Sequence, residues 1–263
     1  MVNRQFDAVA ELQSAFNVLT KNLVLAVPTA LVSLAGGLFA IFMAATIAAS
    51  ILGAGALSGM GGTGEPRPGI WAALAGGTGL LLIVFFVAIV LLGILAQAIV
   101  MAGAERVWHG QPADLMGGVS KAMSKIGPLF LLFLIGLIVG VVCFVIIIIG
   151  WIAGIVLAFF FMYTIPAIVV GNQGVMDALR TSWRMVRENI GPSLTAFLGI
   201  IVVSAIGAVI NRVFLHIPVI GLIVSLVVGG LTAAYSALVL VRFYDLLRGQ
   251  AAAIPTMPSG PTT

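Results

Sequence analysis

Long apolar runs that almost no charge interrupts limit what this chain can fold into. Residues 128–149 contain no Asp, Glu, Lys, Arg or His. The hydrocarbon core of a bilayer is about 30 Å thick and takes roughly 20 such residues as a helix. Only a helix or a closed barrel satisfies every backbone N–H and C=O where no water reaches. Six runs of this kind are predicted to be transmembrane helices, over about 23–55, 71–104, 128–149, 152–170, 192–211 and 218–241. The first two are longer than a span requires, so they tilt or project beyond the bilayer. Composition agrees: 62% of the 263 residues are hydrophobic and 8% are charged, against about 25% charged in soluble domains.

Three shorter segments are polar on one side. The clearest lies within residues 173–189, followed by Gly191-Pro192. Met176, Leu179, Trp183, Val186 and Ile190 recur at helical spacing and form an apolar stripe. Arg180, Arg184 and Arg187 form another face. Such a helix is expected to lie flat in the membrane interface, with Trp183 at headgroup depth and the arginines toward phosphates. Residues 5–21 repeat the plan with Phe6, Val9, Leu12, Phe16 and Leu19. Residues 113–125 do so more weakly, with Leu115, Val119, Ala122 and Met123 toward lipid and Lys121 and Lys125 toward phosphates. The expected fold class is therefore all-α: a polytopic membrane protein of six spans in three hairpins, each hairpin preceded by an interfacial amphipathic helix. Residues 1–248 form this single domain, and 249–263, rich in Ala, Pro, Ser, Gly and Thr, form a disordered tail.

The connections are short except one. Residues 56–70, mostly Gly, Ser and Pro, read as a loop. Gly150-Trp151 reads as a tight turn, and Pro166 is expected to kink the fourth span near its end. Ten of the 12 basic residues fall on one side of this arrangement; only Arg67 and Arg212 fall on the other. The positive-inside rule then places both termini in the cytoplasm. The same topology explains the net charge of +4, which in a soluble protein would suggest nucleic acid; no nucleic-acid partner is expected. Asp7 and Glu11 lie where a secretory signal would be basic, so no cleaved leader is expected. Cys143 lies in an apolar run and reads as a packing residue.

A repeat is one reading of the pattern. Ile126-Gly127-Pro128 recurs as Ile190-Gly191-Pro192, and a shift of 167 carries Leu12, Phe16 and Asn22 onto Leu179, Trp183 and Asn189. The other reading is that any amphipathic segment before a span looks alike.

The C-terminal half also carries motifs with a counterpart. Tyr163-Thr164-Ile165-Pro166, then Ala178-Leu179-Arg180-Thr181-Ser182-Trp183 and Asn189, and finally the run from Arg242 to Arg248, resemble a pattern in six-span bacterial membrane proteins. Those proteins are related to the membrane domain attached to some glycerophosphoryl diester phosphodiesterases. The resemblance covers roughly residues 160–248. It implies a six-helix membrane domain and no reaction, because the catalytic part of those enzymes is a separate soluble barrel. Val169-Val170-Gly171-Asn172 departs from the pattern, since such proteins often carry an acidic residue there.

Catalytic chemistry has little to build on. His109 and His216 fall on opposite sides of the expected bilayer, and no two carboxylates lie close within it. No catalytic residue, metal site or cofactor is expected. No span clearly holds an ionisable residue of the sort that couples ions to transport; Arg212 and Arg242 sit at ends and are expected to snorkel. Ala75 and Gly79, Gly136 and Gly140, and Gly150 and Gly154 read as small-residue pairs that let helices approach.

Two groups remain as candidate site residues. Lys121, Lys125, Arg180, Arg184 and Arg187 are candidates for lipid headgroups. Gln97, Tyr163 and Tyr235 are polar residues within spans, each about 9–12 Å from the cytoplasmic end at about 1.5 Å per residue. They read either as packing and single interhelical hydrogen bonds or as a pocket open to the inner leaflet. The expected function is non-enzymatic: an inner-membrane protein whose basic collar meets anionic lipid, a partner protein or a second copy. The alternative is a permease-like transporter of a small or lipid-like substrate.

Overall fold

A computed structural model describes residues 7–59, 77–145, 147–214 and 217–253. Among these the chain forms ten α-helices, one short 3-10 helix and no strand. In chain order the α-helices are α1 (Ala8–Lys21), α2 (Val27–Gly59), α3 (Gly77–Trp108), α4 (Leu115–Ser124), α5 (Ile126–Val145), α6 (Ile147–Phe160), α7 (Thr164–Val169), α8 (Val175–Glu188), α9 (Ile190–Phe214) and α10 (Pro218–Ala253). Five segments are long and apolar enough to cross a membrane: Leu23–Ala45, Val84–Trp108, Ile152–Val169, Ile190–Phe214 and Ile220–Gly249. A sixth arises if α4 and the first part of α5, which meet at 70°, are taken together. Their outward faces are apolar and exposed: Leu31 and Ile41 on α2, Ile138 and Val141 on α5, and Val202, Ile206, Val209 and Val213 on α9. Faces of this size would associate in water.

The centre is formed by α3, α7 and α10, which touch one another. Around them, α2 packs on α3 and α10, α5 on α3 and α6, and α9 on α10. The three short polar helices sit in corresponding places: α4 on α3, α8 on α7 and α6, and α1 on α10. Small residues set these approaches, as expected where lipid removes the hydrophobic drive between helices. A Cβ at Gly230 would lie 2.7 Å from the Ala26 carbonyl oxygen, and one at Gly118 would lie 2.9 Å from that of Ile99. Burial is concentrated where the short helices join, at residues such as Leu19, Met101, Ile168, Val186, Leu238 and Leu247.

The fourth apolar run is not one helix. It breaks between Phe160 and Thr164. Pro166 explains the position, because it offers no N–H to the carbonyl of Met162 and its ring crowds that carbonyl. Ser182 of α8 enters the gap. Its Oγ donates to the Phe160 carbonyl at 2.8 Å, and the Tyr163 N–H donates to Oγ at 3.2 Å. One hydroxyl thus satisfies backbone groups on both sides of the break. Beyond it, α7 is almost wholly buried and ends at Val169, and Asn172 in the connection that follows has a φ of 57°.

Several sequence expectations need correction. The helix of α6 passes through Gly150 and Trp151, so no turn lies there; apolar residues on both sides keep the helical ladder going. Gly249–Ala253 continue α10, whereas 254–263, the rest of the expected tail, lie outside the described residues. A Cβ at Gly136, Gly140 or Gly154 would meet nothing within 4 Å, so these glycines do not bring helices of this chain together. Ala75, Arg67, Trp71 and His216 fall outside the described residues.

One geometric equivalence is close. Asn22 ends α1 with φ −133° and ψ 50°, and Asn189 ends α8 with φ −132° and ψ 52°. Each side-chain amide donates to the carbonyl four residues back, Val18 at 3.0 Å and Met185 at 3.1 Å. These are partners under the shift of 167.

Candidate functional site

The first candidate surface is α8. Gly174 precedes it, Asp177 lies in its first turn and Arg187 in its last, an order that suits the helix dipole. The buried face holds Val175, Ala178, Ser182, Met185 and Val186. The sequence-level stripe is therefore split. Val186 is inside, while Met176, Trp183 and Ile190 stay exposed. At about 100° per residue, Met176 and Trp183 form a strip between the buried face and the face of Arg180, Arg184 and Arg187, and Ile190 lies beyond it at the start of α9. All three arginines are exposed. Trp183 also packs over the broken run: its ring stacks on Phe160 with centroids 4.3 Å apart.

The same division recurs on α1, where Ala15 and Leu19 are buried while Val9 and Phe16 are exposed, with Leu23 beyond the helix. On α4, Gly118 and Ala122 are buried, and Met116, Val119 and Met123 are exposed. Ala122 thus faces protein and not lipid, because α4 lies against the backbone of α3 at Gly118.

The five cations differ in availability. Lys121 forms an ion pair with Glu105 of α3, so it does not point freely outward. Neighbouring Arg106 pairs with Asp114 at 3.2 Å, and Asp114 caps α4 by accepting from the Gly117 N–H at 2.9 Å. Lys125 is half-buried at the α4–α5 elbow. Among the described residues, Lys125, Arg180, Arg184 and Arg187 take part in no ion pair. Glu105, Arg106, His109, Gln111 and Lys121 line an open polar cleft of about 350 Å³ between α3 and α4. Both of its cations are already matched by carboxylates.

Gln97, Tyr163 and Tyr235 do not converge on one cavity. Tyr163 is fully buried and its hydroxyl donates to Ser193 Oγ at 3.4 Å. Tyr235 donates to the Leu12 carbonyl at 3.5 Å, tying α10 to α1. Gln97 Oε1 is buried without a hydrogen-bond partner. The tyrosines act as ties between elements, and neither lines a described cavity.

One constellation has no signal in local sequence. Arg242 of α10 donates from Nε to Glu11 Oε2 at 2.8 Å and from Nη2 to Oε1 at 3.3 Å. Its guanidinium lies 4.8 Å from the ring centroid of Trp108, within cation–π range. Trp108 in turn donates from Nε1 to the Leu238 carbonyl at 3.0 Å. Arg242 therefore does not snorkel into water; it joins α1, α3 and α10. Asp245, one turn on, lies in the field of His109, Glu105, Arg248 and Arg242. Among the described residues, no three His, Cys, Asp or Glu side chains gather as a metal site would need.

The observations define an all-helical protein with five or six segments able to cross a membrane. No family model, curated protein or solved structure matches the chain.

Proposed function

We propose that the chain is a non-enzymatic multi-pass protein of the bacterial inner membrane with both termini cytoplasmic. Three helical hairpins form its body, and α1, α4 and α8 form an interfacial collar that meets anionic headgroups. This reading keeps the resemblance to the six-span proteins related to the phosphodiesterase membrane domain. The protein would organise lipid, or present the collar to a partner protein or a second copy. The observation that carries the reading is the three-way division of α8. An exposed apolar strip of Met176 and Trp183 lies between a protein-facing side and an arginine face that forms no ion pair among the described residues. An interfacial helix needs that order, with acyl chains at its flank and phosphates above.

The permease-like alternative draws on the broken run at Phe160–Thr164, since discontinuous spans form the substrate sites of many transporters. Ser182 and Tyr163 fill this break, which favours a static role over an open pathway.

The test replaces Arg180, Arg184 and Arg187 together with Gln and measures co-purifying phosphatidylglycerol against phosphatidylethanolamine. Orientation is checked by labelling Ser58→Cys from outside in a Cys143→Ser background. The proposal expects lower phosphatidylglycerol retention with unchanged orientation. Unchanged retention would remove the basic face as a lipid contact.

A further inference from the structure

The open cleft of about 350 Å³ between α3 and α4 is lined by charges of both signs. Glu105 and Arg106 come from the last turn of α3, His109 and Gln111 from the connection after it, and Lys121 from α4. Gly117 and Gly118 complete the wall, and neither position has room for a side chain. A Cβ at Gly117 would overlap the Asp114 carboxylate, and one at Gly118 would lie 2.9 Å from the Ile99 carbonyl oxygen. Small-molecule sites begin at about 300 Å³ and hold a few placed polar groups.

The charges of the cleft balance: Lys121 pairs with Glu105, and Arg106 with Asp114 at 3.2 Å. All four side chains stay partly exposed. Hydrogen-bonding capacity is left over. Arg106 meets Asp114 through Nη1, its Nε has no partner, and the rest of its fork is unused. His109 bonds the Glu105 carbonyl through Nδ1 at 2.7 Å. Neither its Nε2 nor the Gln111 amide takes part in a hydrogen bond among the described residues.

This balance selects the ligand. A net anion would have to draw Lys121 or Arg106 away from its carboxylate, and a net cation would draw Glu105 away from Lys121. Each leaves a partly buried charge without a partner, which is costly. A zwitterion exchanges with a pair and leaves none. Its cationic end meets Glu105, and its anionic end meets Lys121 and the unused edge of Arg106. The lining also fixes the kind of cation. Quaternary ammonium groups are held by aromatic faces, and no Phe, Tyr or Trp lines the cleft among the described residues. A primary ammonium brings three N–H donors, which suit a carboxylate. At the other end, donors reach in from α3, from the connection and from α4, a spread that matches the oxygens of a phosphate. We infer that the α3–α4 cleft binds a zwitterion with a primary ammonium and a phosphate, the chemistry of a phosphatidylethanolamine headgroup or of a free phosphorylated amino alcohol. The collar reading of α4 would set the cleft at headgroup depth; the site is separate from the arginine face of α8.

The test uses the full chain in a maltoside detergent, whose head group is uncharged. Arg180→Gln, Arg184→Gln and Arg187→Gln are present throughout, so that the α8 face adds no anion binding. Native mass spectrometry measures the affinity for phosphatidylethanolamine, phosphatidylcholine and phosphatidylglycerol of equal chain length. Phosphatidylethanolamine is expected to bind about tenfold or more tightly than either of the others, the worth of hydrogen bonds to one charged group. Glu105→Gln should bring it to the level of phosphatidylcholine. Glu105→Gln with Lys121→Gln should do the same and leaves no lysine unpaired, which covers the case of a single variant that does not fold. Soluble glycerophosphoethanolamine gives the source. Affinity equal to that of the lipid identifies a free ligand, and much weaker displacement identifies the headgroup. Equal binding of phosphatidylethanolamine and phosphatidylcholine overturns the proposal, as does a preference that survives both variants. Tighter binding of phosphatidylglycerol, lost in Arg106→Gln, overturns it in favour of a simple anion site. The lipid contact of α8 is read from phosphatidylglycerol retention alone, so its failure is distinct from failure here.

Discussion

Arg242 and Glu11 are 231 positions apart in the chain and are joined by two hydrogen bonds, at 2.8 and 3.3 Å. Their side chains are about 30% and 23% exposed, which sets the pair between a surface contact and a buried one. Fully exposed pairs contribute about 0–1 kcal/mol, and hydrogen bonds to charged groups about 1.5–3 kcal/mol. Glu11→Ala is expected to cost about 2 kcal/mol in detergent-solubilised protein. Glu11→Arg with Arg242→Glu should recover part of the loss. A coupling energy near zero in that cycle would show that the contact holds nothing together.

Ser182→Ala removes the partner of the Phe160 carbonyl and the Tyr163 N–H at once. Each orphaned buried group costs about 1–3 kcal/mol, so the variant should lose about 2–4 kcal/mol by unfolding midpoint. Ser193→Ala, which removes only the long contact from the Tyr163 hydroxyl, should lose less. Equal losses would mean that Ser182 does not fill the break.

Gly171→Ala should be poorly tolerated. The new methyl would overlap the Tyr244 hydroxyl and come within 2.6 Å of the Ala167 carbonyl oxygen. Overpacking of this kind costs about 1–3 kcal/mol. Tyr244→Phe added to Gly171→Ala should restore part of it. A thermal midpoint of the single variant equal to that of the parent would contradict the packing of α10 against the end of α7.

Gln97→Met is expected to be neutral or to stabilise by up to about 1 kcal/mol, because it removes a buried acceptor that has no partner. A clear loss of stability would mean that Gln97 has a partner in the membrane.

The apolar helices were legible because hydropathy and length leave a membrane chain few options. The break was legible in place, from Pro166, but not in its filling: Ser182 reads as part of a polar face, and only the fold brings it to Phe160. Periodicity misplaces the phase of α8 for a related reason. Trp183 and Val186 are equally apolar, and periodicity cannot tell a side chain facing protein from one facing lipid. In the sequence Lys121 and Arg242 look like free cations, because Glu105 and Glu11 lie on other helices. The Asn22 and Asn189 ends were the part of the repeat pattern with local chemistry, since each side chain bonds its own helix, and there sequence and geometry coincide.

The uneven placement of the core has a mechanical consequence. Near the short helices, alanines, glycines and tyrosines lock the bundle together. Away from them, the faces of α2, α5 and α9 meet little protein. On the membrane-spanning reading proposed above, changes in bilayer thickness or lateral pressure are expected to act first on those faces, with the end locked by the short helices as the fulcrum.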